Sequence, residues 1–454
     1  MKQSSSDSMN DSINDSMNDS MAVTNNSTNN STINSELERS ESFTHNQSRS
    51  IWNLSRWVVP LAMFTVVLTE LLLILGSLVT TFRVGMADPV WPTTPWYLFF
   101  IDWKEPSSGF LIEHVHRLAG FTVGGIASLL AIFLLGTDKN RFAKWMGMVL
   151  IIAMLGVYGA FHGQMMKQVR AEQIVWPMTT IYLLLGSIGA LLIFELARIF
   201  QKQSGAWLRL LMIFALLGVM IQGLLGGLRV RLDALFGTNL AAVHGVFAQM
   251  VFSLLVVIAV WSRRPNLEPL QAEKASRGSS NLFLATLLFA SALMQLIWGA
   301  WLRHLPGPIP QRLHFLSAFL VFALAIWNFF SAKQNSMAGK TKMSIHLLLG
   351  FLVLQISLGV EAWLGKFLSP IAPELQTITA SQATIRCLHV IVGTGITATS
   401  AVIFFAAWRF HLARKRFRIE QIGKDSFHNT NTLGTNTLKA DSLEQKVQLS
   451  TVNS

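Results

Sequence analysis

His116, His244, His314 and His389 each lie in the opening turns of a long apolar stretch. Each is followed four positions later by a small residue: Gly120, Ala248, Ala318 and Gly393. In a helix this spacing puts the small residue on the imidazole's face, one turn deeper. The face becomes a notch with a nitrogen ligand at its mouth, a shape suited to a flat, bulky planar cofactor. A lone buried histidine is usually a satisfied core residue. Four in one local pattern are not explained that way, because ionisable groups inside membrane helices are rare and functional. Paired across a bundle, they fit the axial ligands of two haems.

Other groups stand close in sequence to these four. Glu113 and His116 are three residues apart and share a helix face, whereas His114 is rotated away from His116. A carboxylate one turn from a ligand histidine orients it or moves protons; the plainer alternative is an acidic residue complementing the helix dipole. Arg117, Arg229, Arg231, Arg303, Arg312 and Arg386 lie near the histidine-bearing ends. They are candidates for clamping haem propionates, since arginine binds carboxylates bidentately; ordinary interfacial snorkelling is the competing reading. Glu70 falls in the middle of an apolar run and is expected to be protonated or paired inside the bundle. His162 has no counterpart in the other half and is read as structural or without an assigned role, while His304, in an outer loop, and His346, at an inner end, sit at the wrong depth for either pair.

The elements that must position these groups are membrane helices. Hydrophobic residues make up 51% of the chain and charged residues 13%, with mean hydropathy +0.44. The apolar residues come in runs of about 20, the length that crosses a ~30 Å hydrocarbon core as helix. Ten spans are expected: residues 57–81, 112–136, 145–166, 176–199, 208–228, 240–261, 281–302, 311–331, 344–365 and 385–408. The single cysteine, Cys387, excludes an intramolecular disulfide and any multi-cysteine metal site. Residues 1–48 are rich in Ser, Asn and Asp, and residues 419–454 form a second polar tail; both are expected to be disordered or outside the chemistry.

The net charge of +12 points to topology rather than to nucleic acid. With the amino terminus inside, the four short inner loops carry 13 Lys and Arg and five more follow the last span, against ten in the five outer loops. This bias puts both termini in the cytoplasm. The four histidine-bearing spans then all run inward, and their ligands share one depth near the outer surface.

The spans that return outward carry a second pattern. Gln222-x3-Gly226, Gln295-x3-Gly299 and Gln355-x3-Gly359 each end an outward span that precedes a histidine-bearing inward one, and Gly76 makes a fourth, looser copy. The repeat implies an all-α polytopic protein of two pseudo-symmetric four-helix bundles. The first half covers residues 55–262, with an inserted helical hairpin near 140–205, and the second covers 280–410. The insertion explains why His116 and His244 are 128 residues apart and His314 and His389 only 75.

Several local sequences resemble one family closely. They are Gly85-Met86-Ala87-Asp88-Pro89-Val90-Trp91-Pro92, Glu113-x2-His116-Arg117, Gln222-x3-Gly226-Gly227-Leu228-Arg229-Val230 and His244-x3-Ala248-Gln249. Together they look like the haem A synthase family over residues 55–410 outside the hairpin. The resemblance implies oxidation of the C8 methyl of haem O to a formyl group, giving haem A for terminal oxidase assembly. It also implies haem b as cofactor, in the carboxyl-terminal half, and haem O as substrate in the amino-terminal half. Carried over by position, His116 and His244 flank the substrate haem, His314 and His389 ligate haem b, and Glu113 is the essential acid. Implied partners are a farnesyltransferase that supplies haem O, the terminal oxidase assembly machinery, membrane lipid and a second copy of the chain; the implied place is the bacterial plasma membrane. Some members carry a cysteine pair in the first outer loop. Here Ala87, Asp88, Thr93 and Thr94 occupy that stretch, so no mechanism needing a thiol pair applies.

A di-haem b-type electron-transfer protein is the alternative, although such proteins place their haems at two depths. A transporter explains the duplication but not four aligned histidines. The topology is directly testable. An activity reporter that works only in the cytoplasm should be active fused after Arg418, and one that works only outside should be active inserted near Ser369. The opposite result would exchange inner and outer loops.

Overall fold

Lipid leaves a backbone amide no outside partner, so an apolar run of span length satisfies its own hydrogen bonds as helix. The computed structural model shows this throughout. It describes residues 56–88, 95–104, 107–170, 175–263, 282–334, 339–368, 370–371, 375–412 and 414–415, and no strand occurs among them. The two polar tails and residues 89–94 of the first-loop motif lie outside the described residues.

Ten helices are long and apolar enough to cross a membrane. They are α1 (Arg56–Thr81), α3 (Ser108–Leu135), α4 (Arg141–Met165), α5 (Met178–Phe200), α6 (Ala206–Arg229), α7 (Gly237–Ser262), α8 (Leu282–His304), α9 (Pro308–Ala332), α10 (Met343–Phe367) and α11 (Ala380–Leu412). A short helix, α2 (Pro95–Phe99), precedes α3. Apart from the connection after residue 228, no boundary moves from its expected place by more than a turn and a half. The fold is all-α and polytopic. Its perimeter carries large apolar side chains such as Phe200 (83% exposed) and Phe319 (73%), which water would penalise and lipid covers.

Two local details depart from the sequence expectation. The weakest span, 145–166, continues as helix through its polar Phe161-His162-Gly163-Gln164 stretch to Arg170. The connection expected as a loop after residue 228 is also helical, and the chain turns only at Gly237, whose φ of +38° interrupts the helix between α6 and α7. Glycine reaches that backbone region without the Cβ clash other residues suffer. α3 begins more conventionally, with the Ser107 hydroxyl accepting from the Phe110 amide at 3.3 Å.

The buried apolar side chains fall into two clusters. One gathers residues of α1 and α3 to α7, with Ala401 of α11; it includes Leu130, Met154, Leu191, Met212, Leu216 and Ile258. The other joins α8, α9, α10 and α11 through Leu288, Ala325, Leu348 and Ile403. The hairpin α4–α5 therefore packs on the first cluster. It is also fastened there by charge. Arg198 of α5 donates to both Asp138 oxygens, at 3.0 and 2.6 Å, just beyond α3. Arg209 of α6 contacts Asp138 at 2.9 Å and Glu195 of α5 at 3.1 Å. All four side chains are buried, with Arg209 only 1% exposed. Two of the basic residues that mark the inner loops are thus paired inside the protein.

Removing one partner of a buried charge network leaves the others uncompensated, a loss of about 3–5 kcal/mol. Arg209→Ala should therefore lower the thermal midpoint in detergent far more than Arg141→Ala, whose side chain is exposed. Equal midpoints would show that the network adds nothing to docking of the hairpin.

Candidate functional site: four histidines set against four glycines

Each of the four histidines projects from the beginning of its helix onto a glycine near the end of another. A methyl group built on Gly76, Gly299 or Gly359 would stand 3.0 Å from Cε1 of His116, His314 or His389 respectively. One on Gly226 would stand 3.4 Å from Cε1 of His244. The contacts join α1 to α3, α6 to α7, α8 to α9 and α10 to α11. They give the glycines of the sequence repeat a specific task, since at the three tighter sites a Cβ would force the ring to move.

The glutamines of the repeat also reach the rings. Gln222 Nε2 lies 3.1 Å from His244 Nδ1 and donates to the His244 carbonyl at 2.9 Å. Gln295 Nε2 lies 3.4 Å from His314 Nε2, and Gln355 Nε2 lies 3.3 Å from His389 Nε2. Ser317 donates to the Gln295 side-chain oxygen and so fixes that amide in turn. Nδ1 of His116, His314 and His389 is buried without a hydrogen-bond partner.

His314 and His389 come together as a pair, their ring centroids 6.3 Å apart and their planes at 70°. A metal–imidazole nitrogen bond of about 2 Å puts each ring centroid roughly 3 Å from the metal. The observed separation is about twice that length, the distance two imidazoles sharing one ion would need. His116 and His244 lie within electrostatic reach of each other, and Arg229 is close to both. Among the described residues no group of three or more His, Cys, Asp and Glu side chains could hold a bare ion. Paired imidazoles suit a metal whose remaining ligands come with a macrocycle.

The ends of the helices around these histidines are strongly basic. Arg303 donates to the Ser77 carbonyl at 3.0 Å and to the Thr81 hydroxyl at 2.8 Å. Arg303 and Arg386 are near enough to repel each other, as are Arg386 and Arg83. His304, the last residue of α8, adjoins Arg303, Arg229 and Lys366. Gly85 packs against the Arg229 guanidinium, where an added Cβ would meet Nη2 at 2.5 Å. Arg312 is exposed, and the side chain of Arg231 lies outside the described residues. His304 was not expected here, because its place in a connection hid its neighbours from a linear reading.

Glu113 and Arg117 belong to a separate buried cluster built on Asp88. The Asp88 amide donates to Glu113 Oε2 at 2.7 Å, and Arg117 Nη2 donates to Glu113 Oε1 at 2.7 Å and to the Asp88 carbonyl at 2.6 Å. The Asp88 carboxylate meets His114 Nδ1 at 2.9 Å and accepts from the Tyr97 hydroxyl at 3.1 Å. His114 Nε2 reaches the Leu98 carbonyl at 3.1 Å, and Phe110 stacks on the ring at 5.4 Å. Burial, and then the Asp88 charge and hydrogen bond, push the Tyr97 hydroxyl up to about 12, so it remains a donor at neutral pH. This cluster straps the segment around Asp88 and α2 onto the start of α3. It commits Arg117 to protein acceptors instead of to a ligand carboxylate. Asp88 stood in the motif without an assigned role, and only the fold reveals its pairing with His114. Glu70 Oε1 is buried with no partner.

No family model matches this sequence, and no curated protein matches it either.

His114 is the post between Asp88 and Leu98, and removing it takes the partner from one oxygen of a buried carboxylate that Tyr97 still meets at the other, a loss of about 1–3 kcal/mol. His114→Ala should accelerate amide hydrogen exchange at residues 84–88 by roughly tenfold or more while exchange in α8 to α11 stays unchanged. Unchanged exchange at 84–88 would mean that the strap does not depend on this imidazole.

Proposed function

We propose that this protein is a haem-dependent membrane oxidoreductase that converts haem O to haem A, with haem b held by His314 and His389. The observation that carries the reading is the 6.3 Å separation of those two rings, each set against a glycine. The local sequence resemblance supplies the reaction. In it, haem O enters between His116 and His244, supplied by a farnesyltransferase, and haem A leaves for terminal oxidase assembly. The proposed setting is a bacterial plasma membrane with both termini in the cytoplasm.

When bound, haem b supplies one-electron chemistry at its iron. His314 and His389 would hold it, and Gln295 and Gln355, with Nε2 atoms 3.4 and 3.3 Å from their rings, would restrain ring rotation. Arg229, Arg303 and Arg386 gather positive charge at the histidine ends, where a porphyrin's propionates would be neutralised. Glu113 Oε1, one turn from His116, is the proposed proton acceptor, with Arg117 as its counter-ion.

One observation favours a second reading, a di-haem electron carrier. Both Glu113 oxygens already accept hydrogen bonds from Asp88 and Arg117, which is what a purely architectural carboxylate would do.

The two readings separate in one set of variants. His314→Ala or His389→Ala should abolish or convert the low-spin haem spectrum of the purified protein; unchanged spectra in both would overturn the ligand assignment. Glu113→Gln should retain haem b yet stop formation of haem A. Wild-type production of haem A by that variant would leave Glu113 as an anchor only.

A further inference from the structure

One turn beyond each contact glycine, on the same helix face, stand Thr80, Val230, Arg303 and Trp363. The two halves differ at this position. In the first half valine carries no donor, and Thr80 commits its hydroxyl to the Gly76 carbonyl at 3.0 Å. In the second half both residues carry N–H groups. Arg303 sits among the cations of the helix ends. Trp363 has its Nε1 buried with no hydrogen-bond partner. Its ring is nonetheless fixed by contacts with Phe315, at 6.3 Å between centroids, and Phe367, at 6.2 Å. Phe315 directly follows His314, and Gly359, one turn before Trp363, seats His389. Helical side chains lean toward the helix N-terminus, so the indole inclines toward that glycine. Three residues on, Lys366 reaches the Leu302 carbonyl of α8, next to Arg303, at 3.5 Å. Trp363 thus belongs to the stretch of α10 between the seat of His389 and the basic helix ends.

We propose that Trp363 binds the cofactor of the second half, its indole N–H donating to a carboxylate of the porphyrin that His314 and His389 would hold. This rests on the haem reading given above. A buried indole N–H ordinarily has an acceptor, and leaving one unmet is costly. The protein around Trp363 supplies none. A carboxylate answers it best, because hydrogen bonds to ionised groups are shorter and roughly twice as strong as neutral ones. Arginine at the helix end brings charge, whereas the indole brings direction from an atom that solvent does not reach. Two axial imidazoles leave a porphyrin free to turn in its own plane. A donor fixed in the protein beside them sets that angle. The first half has no such donor at Thr80 and Val230, so a porphyrin there is held less firmly. That difference suits a half that retains a cofactor beside one that receives and releases a substrate.

Resonance Raman spectroscopy with Soret excitation is the probe, because the propionate-bending band of bound haem follows hydrogen bonding at its carboxylates. In the full-length protein, purified with its haem b, Trp363→Phe keeps an aromatic ring against Phe315 and Phe367 and removes the N–H. The band should shift in this variant. Transfer of haem b to excess apomyoglobin should also become roughly tenfold faster, the scale of one lost hydrogen bond to a charged group. If Trp363→Phe does not fold, Trp363→Met fills the space with a flexible side chain that has no donor, and the same two changes are expected. An unmoved band in a haem-loaded variant would overturn the assignment even if release is faster, since lost packing alone accelerates release. An unchanged release rate would overturn it as well. The haem reading fails separately: the folded wild-type protein would then carry no haem b at all.

Discussion

The contact between an imidazole edge and a glycine backbone sets the spacing of the helix pairs that carry the histidines. A ring atom 3.0 Å from where a Cβ would stand leaves no room for alanine unless the ring shifts. The contact recurs at α1–α3, α8–α9 and α10–α11, where an added Cβ would stand 3.0 Å from the ring, and is looser at α6–α7, where it would stand at 3.4 Å. His314 and His389, each set against such a glycine, have ring centroids 6.3 Å apart. Small residues usually bring membrane helices together for van der Waals packing. Here they bring a polar ring to a chosen depth.

The two ends of the first bundle are held by different chemistry. At the histidine end, Asp88 binds the segment that follows α1 to α3 through Glu113, His114 and Arg117, with Tyr97 closing the carboxylate. At the other end, Asp138, Glu195, Arg198 and Arg209 bind the hairpin α4–α5 to its neighbours. Both clusters balance buried acids against buried bases, the condition for tolerating charge in an apolar interior. The second bundle shows a different economy among its described residues, with single side-chain bonds such as Asn328 to the Leu324 carbonyl at 2.9 Å.

What was legible in the sequence followed from periodicity and length. The ten spans could be read because each needs about 20 apolar residues, and the place of each histidine in the opening turns of a helix because each opens a span. The Gln-x3-Gly units were visible as a repeat, but their purpose was not. Spacing along one helix does not say which side chain on another helix it meets, so glycine as a seat for imidazole needed the fold. The same limit hid the Asp88–His114 pair, whose members lie 26 residues apart. Arg198 and Arg209 counted as inner-loop charges because a residue at a span's edge reads as exposed until its acid partner appears from another helix. Gly237 was passed over for a related reason. A single glycine with positive φ turns the chain where a loop of several residues was expected.

The basic cluster bears on how the two halves cooperate. Arg303 of α8 donates to Ser77 and Thr81 of α1, so a residue of the second half is anchored in the first. Arg386 of α11 adjoins Arg303 and Arg83, and His304 adjoins Arg229 and Lys366. Cations this close raise one another's energy, and the raised energy falls when an anion with two carboxylates enters between them. On the proposed reading both porphyrins bring such carboxylates to this same end. Binding at one half would then lower the repulsion felt by arginines that also border the other. That coupling is electrostatic and reciprocal: a haem settled in the second half would weaken the field available to the first. The two sites would share one reserve of positive charge, which is a physical reason for the two halves to meet at the ends where their histidines lie.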